Sequence, residues 1–209
     1  MKRPRCMTAL IFLVCCLAVP FAIGLASGKP AAPDNDRIIA ECTKAIASNP
    51  NDAALYDKRG RAYLAKVQYD LALNDFNKAI AINPNYAHAY LDRGLLYEKQ
   101  GQADAAIDNY TQSIAVDSQF TDGYDHRGFM YNQKGEYDLA IEDFNKALAI
   151  NPKYVPSYLN KGQAYENKHL NPEAIDVYRA LLVVAPPDDN HHRQRAIDRI
   201  RALGGTVNS

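Results

Sequence analysis

Residues 53–86 read AALYDKRGRAYLAKVQYDLALNDFNKAIAINPNY, and the way this string returns decides the fold. Gly60 is followed by Gly94, Gly128 and Gly162, each 34 residues on. Four residues before each glycine stands a tyrosine (Tyr56, Tyr90, Tyr124, Tyr158), and three after stands another (Tyr63, Tyr97, Tyr131, Tyr165). Twelve after come Ala72, Ala106, Ala140 and Ala174; sixteen after come Phe76, Tyr110, Phe144 and Tyr178. Twenty-four after come Pro84, Ser118, Pro152 and Pro186. A fixed period of this size means an array of small units, none of which buries its apolar face alone.

Each unit reads as two amphipathic helices of about 14 residues, each roughly 21 Å long at 1.5 Å per residue. In the first, helix A runs near 53–66 and helix B near 69–82. The glycine falls where the two helices approach closely, and Ala72 and its equivalents serve the same approach from helix B. Asn83-Pro84 and Asn151-Pro152 stop helix B, because the residue before proline is pushed out of the helical region. Gly101 and Gly135 end helix A in the second and third units. Asn171-Pro172 is expected to cap and start the fourth helix B.

The flanks extend the same pattern. Residues 43–50, TKAIASNP, copy 77–84, NKAIAINP, so 34–52 reads as a lone helix B without its helix A. Ala196, Ile197, Ile200 and Leu203 recur at helical spacing with Gly204 behind them. That segment, within 189–209, reads as a helix capping the last unit's exposed apolar face. The expectation is an all-α chain of ten helices without a strand: a half-unit over 34–52, units over 53–86, 87–120, 121–154 and 155–188, then the cap.

Composition narrows the function classes. The 209 residues carry 24 Lys+Arg against 24 Asp+Glu, and a dedicated nucleic-acid binder would show a basic excess. With 47% apolar and 23% charged residues there is ample material for a core. Lys2, Arg3 and Arg5 precede a stretch, Cys6 to Gly28, with no charged residue. A basic start, an apolar centre and small residues at Gly24 and Ala26 make a secretory signal over 1–26, followed by a spacer over 27–33. The competing reading is an uncleaved anchor, since 23 uncharged residues are long enough to span a bilayer. Either way the expectation is an exported protein, periplasmic or extracytoplasmic, with membrane contact only if the anchor is retained at the inner membrane. Cys42 is then the one cysteine beyond that segment, which leaves no internal disulfide. Its spacing from Ile38, Ala45 and Ile46 reads as a small buried hydrophobe.

All 14 tyrosines fall on five positions of the 34-residue unit. A ligand cage or a base-stacking platform is local and would break the period, so these rings read as packing. The Gly, Tyr, Ala, aromatic and Pro frame over 53–188 resembles four consecutive tetratricopeptide repeats. Tyr in place of the family's frequent Trp, and Ser118 in place of a closing proline, are the main departures. The resemblance implies a right-handed superhelix of antiparallel helix pairs, with helix A lining a concave groove that takes protein or peptide segments.

No enzyme is expected. No phosphate loop, nucleophile elbow or Cys/His arrangement occurs, and the five histidines lack zinc-site spacing. No cofactor or metal is expected. Asp75, Asp108, Asp143 and Asp176 recur in helix B, and Arg59, Arg93, Arg127 and Lys161 recur before each glycine. These repeated acids and bases read as ion pairs within or between units. Arg193, Arg195, Arg199 and Arg201 in the cap share their helix with acids and read as an ordinary polar face.

By the resemblance, the groove positions include Asp57 and Arg61 in the first unit and His88, Leu91, Leu95 and Glu98 in the second. Asp125, Phe129 and Asn132 follow in the third, and Leu159, Gln163 and Glu166 in the fourth. They vary from unit to unit while the frame does not, as a binding surface on a fixed scaffold would. Phe129, with Leu91, Leu95 and Leu159, is expected to form an apolar pocket rimmed by Asp125, Glu98 and Glu166. The family's carboxylate clamp uses Lys and Asn where Asp57 and Arg61 stand here, so a C-terminal carboxylate is a poor candidate ligand. The acid excess suits a partner of basic character. The leading expectation is a non-enzymatic interaction scaffold. The alternatives are a membrane-anchored assembly or chaperone factor and a regulatory subunit of an envelope enzyme.

Overall fold

The computed structural model describes residues 34–207, and among these ten α-helices follow one another without a strand. The expected signal or anchor over 1–26 and the spacer over 27–33 lie outside the described residues. The half-unit helix is α1 (Asn35–Ser48). The four hairpins are α2 (Ala53–Ala65) with α3 (Tyr69–Ile82), and α4 (Ala87–Lys99) with α5 (Ala103–Val116). They continue as α6 (Thr121–Gln133) with α7 (Tyr137–Ile150), and α8 (Val155–Asn167) with α9 (Asn171–Val184). The cap is α10 (Asn190–Ala202). Each helix packs on its neighbours in sequence; α2 also touches α4, α6 touches α8, and α8 touches α10. These skipping contacts all lie in the layer of A helices. No helix among the described residues is long and apolar enough to cross a membrane.

Packing, rather than capping, holds the inner helices. Asp34, Asp52 and Asp189 cap α1, α2 and α10 through their side chains, but α3 to α9 have no side-chain cap. Isolated helices of this length are marginal in water, so their stability comes from the shared core. Asn171 does not cap α9 as expected: Leu170 holds that position, and Asn171 and Pro172 lie inside the first turn.

The core repeats with the sequence. Ala72, Phe76, Ala106, Tyr110, Ala140, Phe144 and Ala174 are wholly buried, and Tyr178 nearly so. None of the 14 tyrosines is exposed. The glycines face these rings across the hairpin. A Cβ at Gly94 would stand 2.5 Å from Tyr110 Cε1. The ring cannot swing aside, because its hydroxyl donates to Glu98 at 2.6 Å. Gly94→Ala is therefore expected to lose about 1–3 kcal/mol by overpacking, outweighing alanine's helix preference of about 1 kcal/mol. Chemical denaturation would measure the difference.

Two residues past the end of each helix A stands a residue with positive φ. Gly101 (φ 74°) and Gly135 (φ 80°) take this conformation freely, but the equivalent residues in the first and fourth units are Val67 (φ 61°) and His169 (φ 59°). A β-branched residue there is strained, and left-handed backbone costs an L-residue about 1–2 kcal/mol. Val67 is also 65% exposed, so its side chain contributes little packing. Val67→Gly is expected to raise stability by about 1 kcal/mol, measured as a higher denaturation midpoint.

Candidate functional site

The A helices are fixed by the cation one residue before each glycine. Arg59 donates from Nε and Nη2 to both oxygens of Asp75, each at 2.7 Å, and from Nη1 to Thr43 on the preceding B helix at 3.1 Å. Arg127 repeats this on Asp143 (2.8 and 2.7 Å) and Thr111 (3.2 Å). Each guanidinium is also flanked by two tyrosine rings: Tyr56 and Tyr63 at 5.6 and 5.9 Å, and Tyr124 and Tyr131 at 5.8 and 5.9 Å. The expected ion pairs thus exist in the first and third units. In the second, Arg93 bonds Asn109 (2.7 Å) and Asn77 (2.7 Å), not Asp108. In the fourth, Val177 stands at the position of Asp75 and Asp143, and Lys161 lies 5.9 Å from the Tyr165 ring. Burial pushes that ammonium below the usual lysine range. Asp108 and Asp176 sit one residue before the required position, about 100° away around the helix, and both are exposed.

Over this frame the expected groove residues fall into distinct settings. The fifth-position residues are buried: Asp57 3% exposed, Leu91 7%, Asp125 4% and Leu159 5%. Asn132 is buried as well and accepts from the Asn167 amide at 3.0 Å. These five side chains fill the seams between helices. The ninth-position residues reach outward: Arg61 and Gln163 are exposed, and Leu95 and Phe129 half-buried. His88 is exposed and lies 4.8 Å from the Phe120 ring.

The expected pocket changes accordingly. Leu91, Leu95 and Phe129 do share a cluster, together with Tyr110 and Met130, but Leu159 belongs to a separate one with Tyr178 and Leu181. Leu91 is part of the core beneath the pocket rather than its lining. The open cavity at Phe129, about 240 Å³, is lined by Glu98, Asp125, His126, Phe129 and Asn160. It is a largely apolar, aromatic cavity edged by two acids, as expected, but Phe129 and the His126 ring line it in place of Leu91, Leu95 and Leu159. Glu98 accepts from Tyr110; Asp125 accepts from the Ser157 hydroxyl at 2.6 Å and the Asn160 amide at 3.3 Å. Burial pushes Asp125 up from the usual aspartate range, against the pull of those bonds. Glu166 does not rim this pocket: it lines a separate cavity with Gln163, Asn167, Tyr178, Arg195 and Arg199, and Arg199 of α10 lies across its carboxylate.

A second acidic site joins the first two units. Asp57 and Asp92, both buried, face each other, with Arg61 Nε 3.8 Å from Asp92 and with Tyr86 and His88 also near Asp57. Asp57 Oδ1 has no hydrogen-bond partner. Burial, then the Asp57 charge, push the Asp92 carboxyl up to about 8. An acid whose pKa rises on folding stabilises the fold at low pH, and that contribution disappears as the pH climbs. The loss runs from the ordinary aspartate value of about 4 up to about 8. Asp92→Asn is expected to offer an amide donor to Asp57, raise the melting temperature at pH 8, and flatten its fall between pH 5 and pH 8. Thermal unfolding at the two pH values measures this.

Sequence reasoning missed Asp92, His126, Asn160 and Arg199. A separate signal in the repeats marks Glu98 and Glu166, both among the expected groove residues. Glu98 pairs with Tyr110, and Glu166 with Tyr178, each at 2.6 Å; the other two units hold Leu64 with Phe76 and Asn132 with Phe144. Tyrosine replaces phenylalanine only where glutamate accepts its hydroxyl. A further cavity, about 430 Å³, opens at a hairpin end beside Asn49, Asp52, Asn83 and Tyr86, the tyrosine that also reaches Asp57. Among the described residues no group of three or more His, Cys, Asp or Glu side chains is placed to hold a metal ion.

The sequence matches a family described as TPR repeat over residues 60–101 and 128–168, and one described as tetratricopeptide repeat over 87–120. No curated protein matches the chain significantly. Among solved structures, that of MamA is 27% identical with a TM-score of 0.64, covering 79% of this chain and 92% of its own. That of TTC0263, a thermophilic TPR protein of Thermus thermophilus, is 21% identical with a TM-score of 0.67, covering 80% and 91%. That of YrrB, described as a TPR protein with an unusual peptide-binding site, is 20% identical with a TM-score of 0.61, covering 78% and 84%. The matched repeats, the ten tandem helices and these likenesses converge: the chain is a tetratricopeptide repeat protein.

Proposed function

We propose that the chain is an exported, non-enzymatic scaffold that holds a protein or peptide segment in a concave groove lined by α2, α4, α6 and α8. As a tetratricopeptide repeat protein it is a protein-interaction scaffold. One observation carries it. The unit-specific polar and aromatic side chains, Arg61, His88, Glu98, Phe129 and Gln163, all stand on A helices over a frame whose own charges are largely paired. The skipping contacts between A helices support placing this layer on the inside of the curve. The peptide-binding site named for YrrB supports the same class of ligand. The basic start and uncharged run of residues 1–28 support export.

Photo-crosslinking groups placed at Arg61, His88, Phe129 or Gln163 are expected to capture a partner in cells. Groups at Leu139 and Val183, exposed on B helices, are not. Capture from the B-helix positions alone would sink the groove. N-terminal sequencing after fractionation distinguishes a chain starting near residue 27 from a membrane-retained chain starting at Met1.

A further inference from the structure

We propose that the cavity between α4 and α6, floored by Phe129 and walled by Glu98 and Asp125, seats an arginine side chain of the protein partner. The proposal rests on the scaffold reading above and names the chemistry that one pocket of it recognises. Three observations carry it.

First, no lysine or arginine among the described residues answers the acids of this cavity, of which Glu98 is the more exposed. Asp75 and Asp143 each hold an arginine of their own unit. Among the described residues no lysine or arginine pairs with Glu98 or Asp125. The nearest basic group is the His126 ring, 3.9 Å from Glu98. Their other bonds come from neutral donors, Tyr110, Ser157 and Asn160.

Second, the chain contains its own occupied copy of the site. Glu166 on α8 is the equivalent of Glu98 on α4 two units on, and Tyr178 holds it as Tyr110 holds Glu98, both at 2.6 Å. In the fourth unit the next helix in line, α10, supplies Arg199. Its Nε donates to Glu166 Oε1 at 2.9 Å and its Nη2 to Oε2. One carboxylate thus accepts the tyrosine hydroxyl and a two-pronged guanidinium together. Both sites keep an open cavity, about 330 Å³ beside Glu166 and 240 Å³ beside Glu98, but around Glu98 the next A-layer helix, α6, supplies His126 and Phe129 where α10 supplies an arginine.

Third, the walls suit a guanidinium better than an ammonium. The His126 ring lies stacked at 5.4 Å on Tyr110, and Phe129 adds a second aromatic surface. A flat guanidinium stacks on such faces while bridging two carboxylate oxygens; a lysine offers only a compact charge.

The test uses the full chain and three short acetylated, amidated alanine peptides, each with one central arginine, lysine or citrulline. Citrulline keeps the shape and loses the charge. Binding is read from NMR shifts of the His126 and Phe129 resonances. The arginine peptide is expected to shift both, and the citrulline peptide to bind at least about tenfold more weakly. Glu98→Gln retains an acceptor for Tyr110, so the fold is kept, and it is expected to weaken the arginine peptide by about tenfold. The double variant Arg195→Ala/Arg199→Ala empties the fourth-unit copy and is expected to add a second site, seen as new shifts around Gln163. Failure of the arginine peptide to shift these residues, equal binding of citrulline, indifference to Glu98→Gln, or no second site in the double variant would each overturn the proposal. Cellular crosslinks from the A helices that persist in Glu98→Gln would leave the scaffold standing without its arginine pocket. Absence of any such crosslink in the unaltered chain would remove the scaffold itself.

Discussion

Arg127→Ala is expected to destabilise the chain by about 3–5 kcal/mol, the cost of leaving a buried charge without its partner. Asp143 is 4% exposed, on the face of α7 that meets α6. Arg127 meets both its oxygens, bonds Thr111 of the preceding unit, and lies between Tyr124 and Tyr131. The guanidinium is always charged, so it keeps the pair ionised against the burial that pushes Asp143 up. Removing it leaves burial and the Glu142 charge, both unfavourable to the ionised acid, which then takes up a proton as the pH falls. The sign follows. A raised native pKa is penalised above the unfolded value of about 4, so the deficit of Arg127→Ala is largest near pH 8 and shrinks towards pH 5. Denaturation midpoints at the two pH values check both size and slope. Arg127→Met with Asp143→Leu removes both charges and is expected to recover most of the loss.

The same position in the other units supplies the control. Arg93 bonds a neutral Asn109, so Arg93→Ala leaves no buried anion behind. Its expected cost is about 1–2 kcal/mol with no pH dependence from that site. A result in which Arg93→Ala and Arg127→Ala cost the same would show that ring packing, not charge, dominates at this position.

That gradation marks the limit of what the sequence made legible. Gly60, Ala72, Phe76 and their equivalents recur because adjoining hairpins meet through the same contact each time, so periodicity alone locates the core. The seventh-position cation was visible for the same reason. Its partner was not, because Asp108 and Asp176 differ from Asp75 and Asp143 by one residue in the unit, and one residue is about 100° of helix. The groove was harder. Family-derived positions name a helix face, but they do not separate the fifth residue, pressed against the next A helix, from the ninth, which clears it. Hence Asp57, Leu91, Asp125 and Leu159 lie within seams, while Phe129 and Gln163 reach out. Arg199 was hidden because the cap has no repeat frame of its own against which an irregular residue would stand out.

Deleting residues 188–209 is the other large perturbation. The helix α10 seals the core cluster of Val155, Leu159, Ala174, Tyr178, Leu181 and Ala185 with Ala196 and Ile200, both wholly buried. Arg193 also covers the end of α9, donating to the carbonyls of Leu182 (2.7 Å) and Ala185 (3.1 Å). Losing burial of Ile200 and Leu181 alone removes about 3–6 kcal/mol at 1.5–3 kcal/mol per side chain. Because each unit contacts only its neighbours, the loss is local. Amide exchange is expected to quicken throughout α8 and α9 while α2 and α3 keep their protection, and the melt is expected to begin about 10 °C lower. The exposed apolar face should also draw copies together, so sedimentation is expected to show association in the shortened chain. An unchanged melt would remove the capping role. Slowed exchange in α8 and α9 on adding back the isolated 188–209 peptide would establish that role directly, since that segment carries both the apolar seal and the arginine that occupies Glu166.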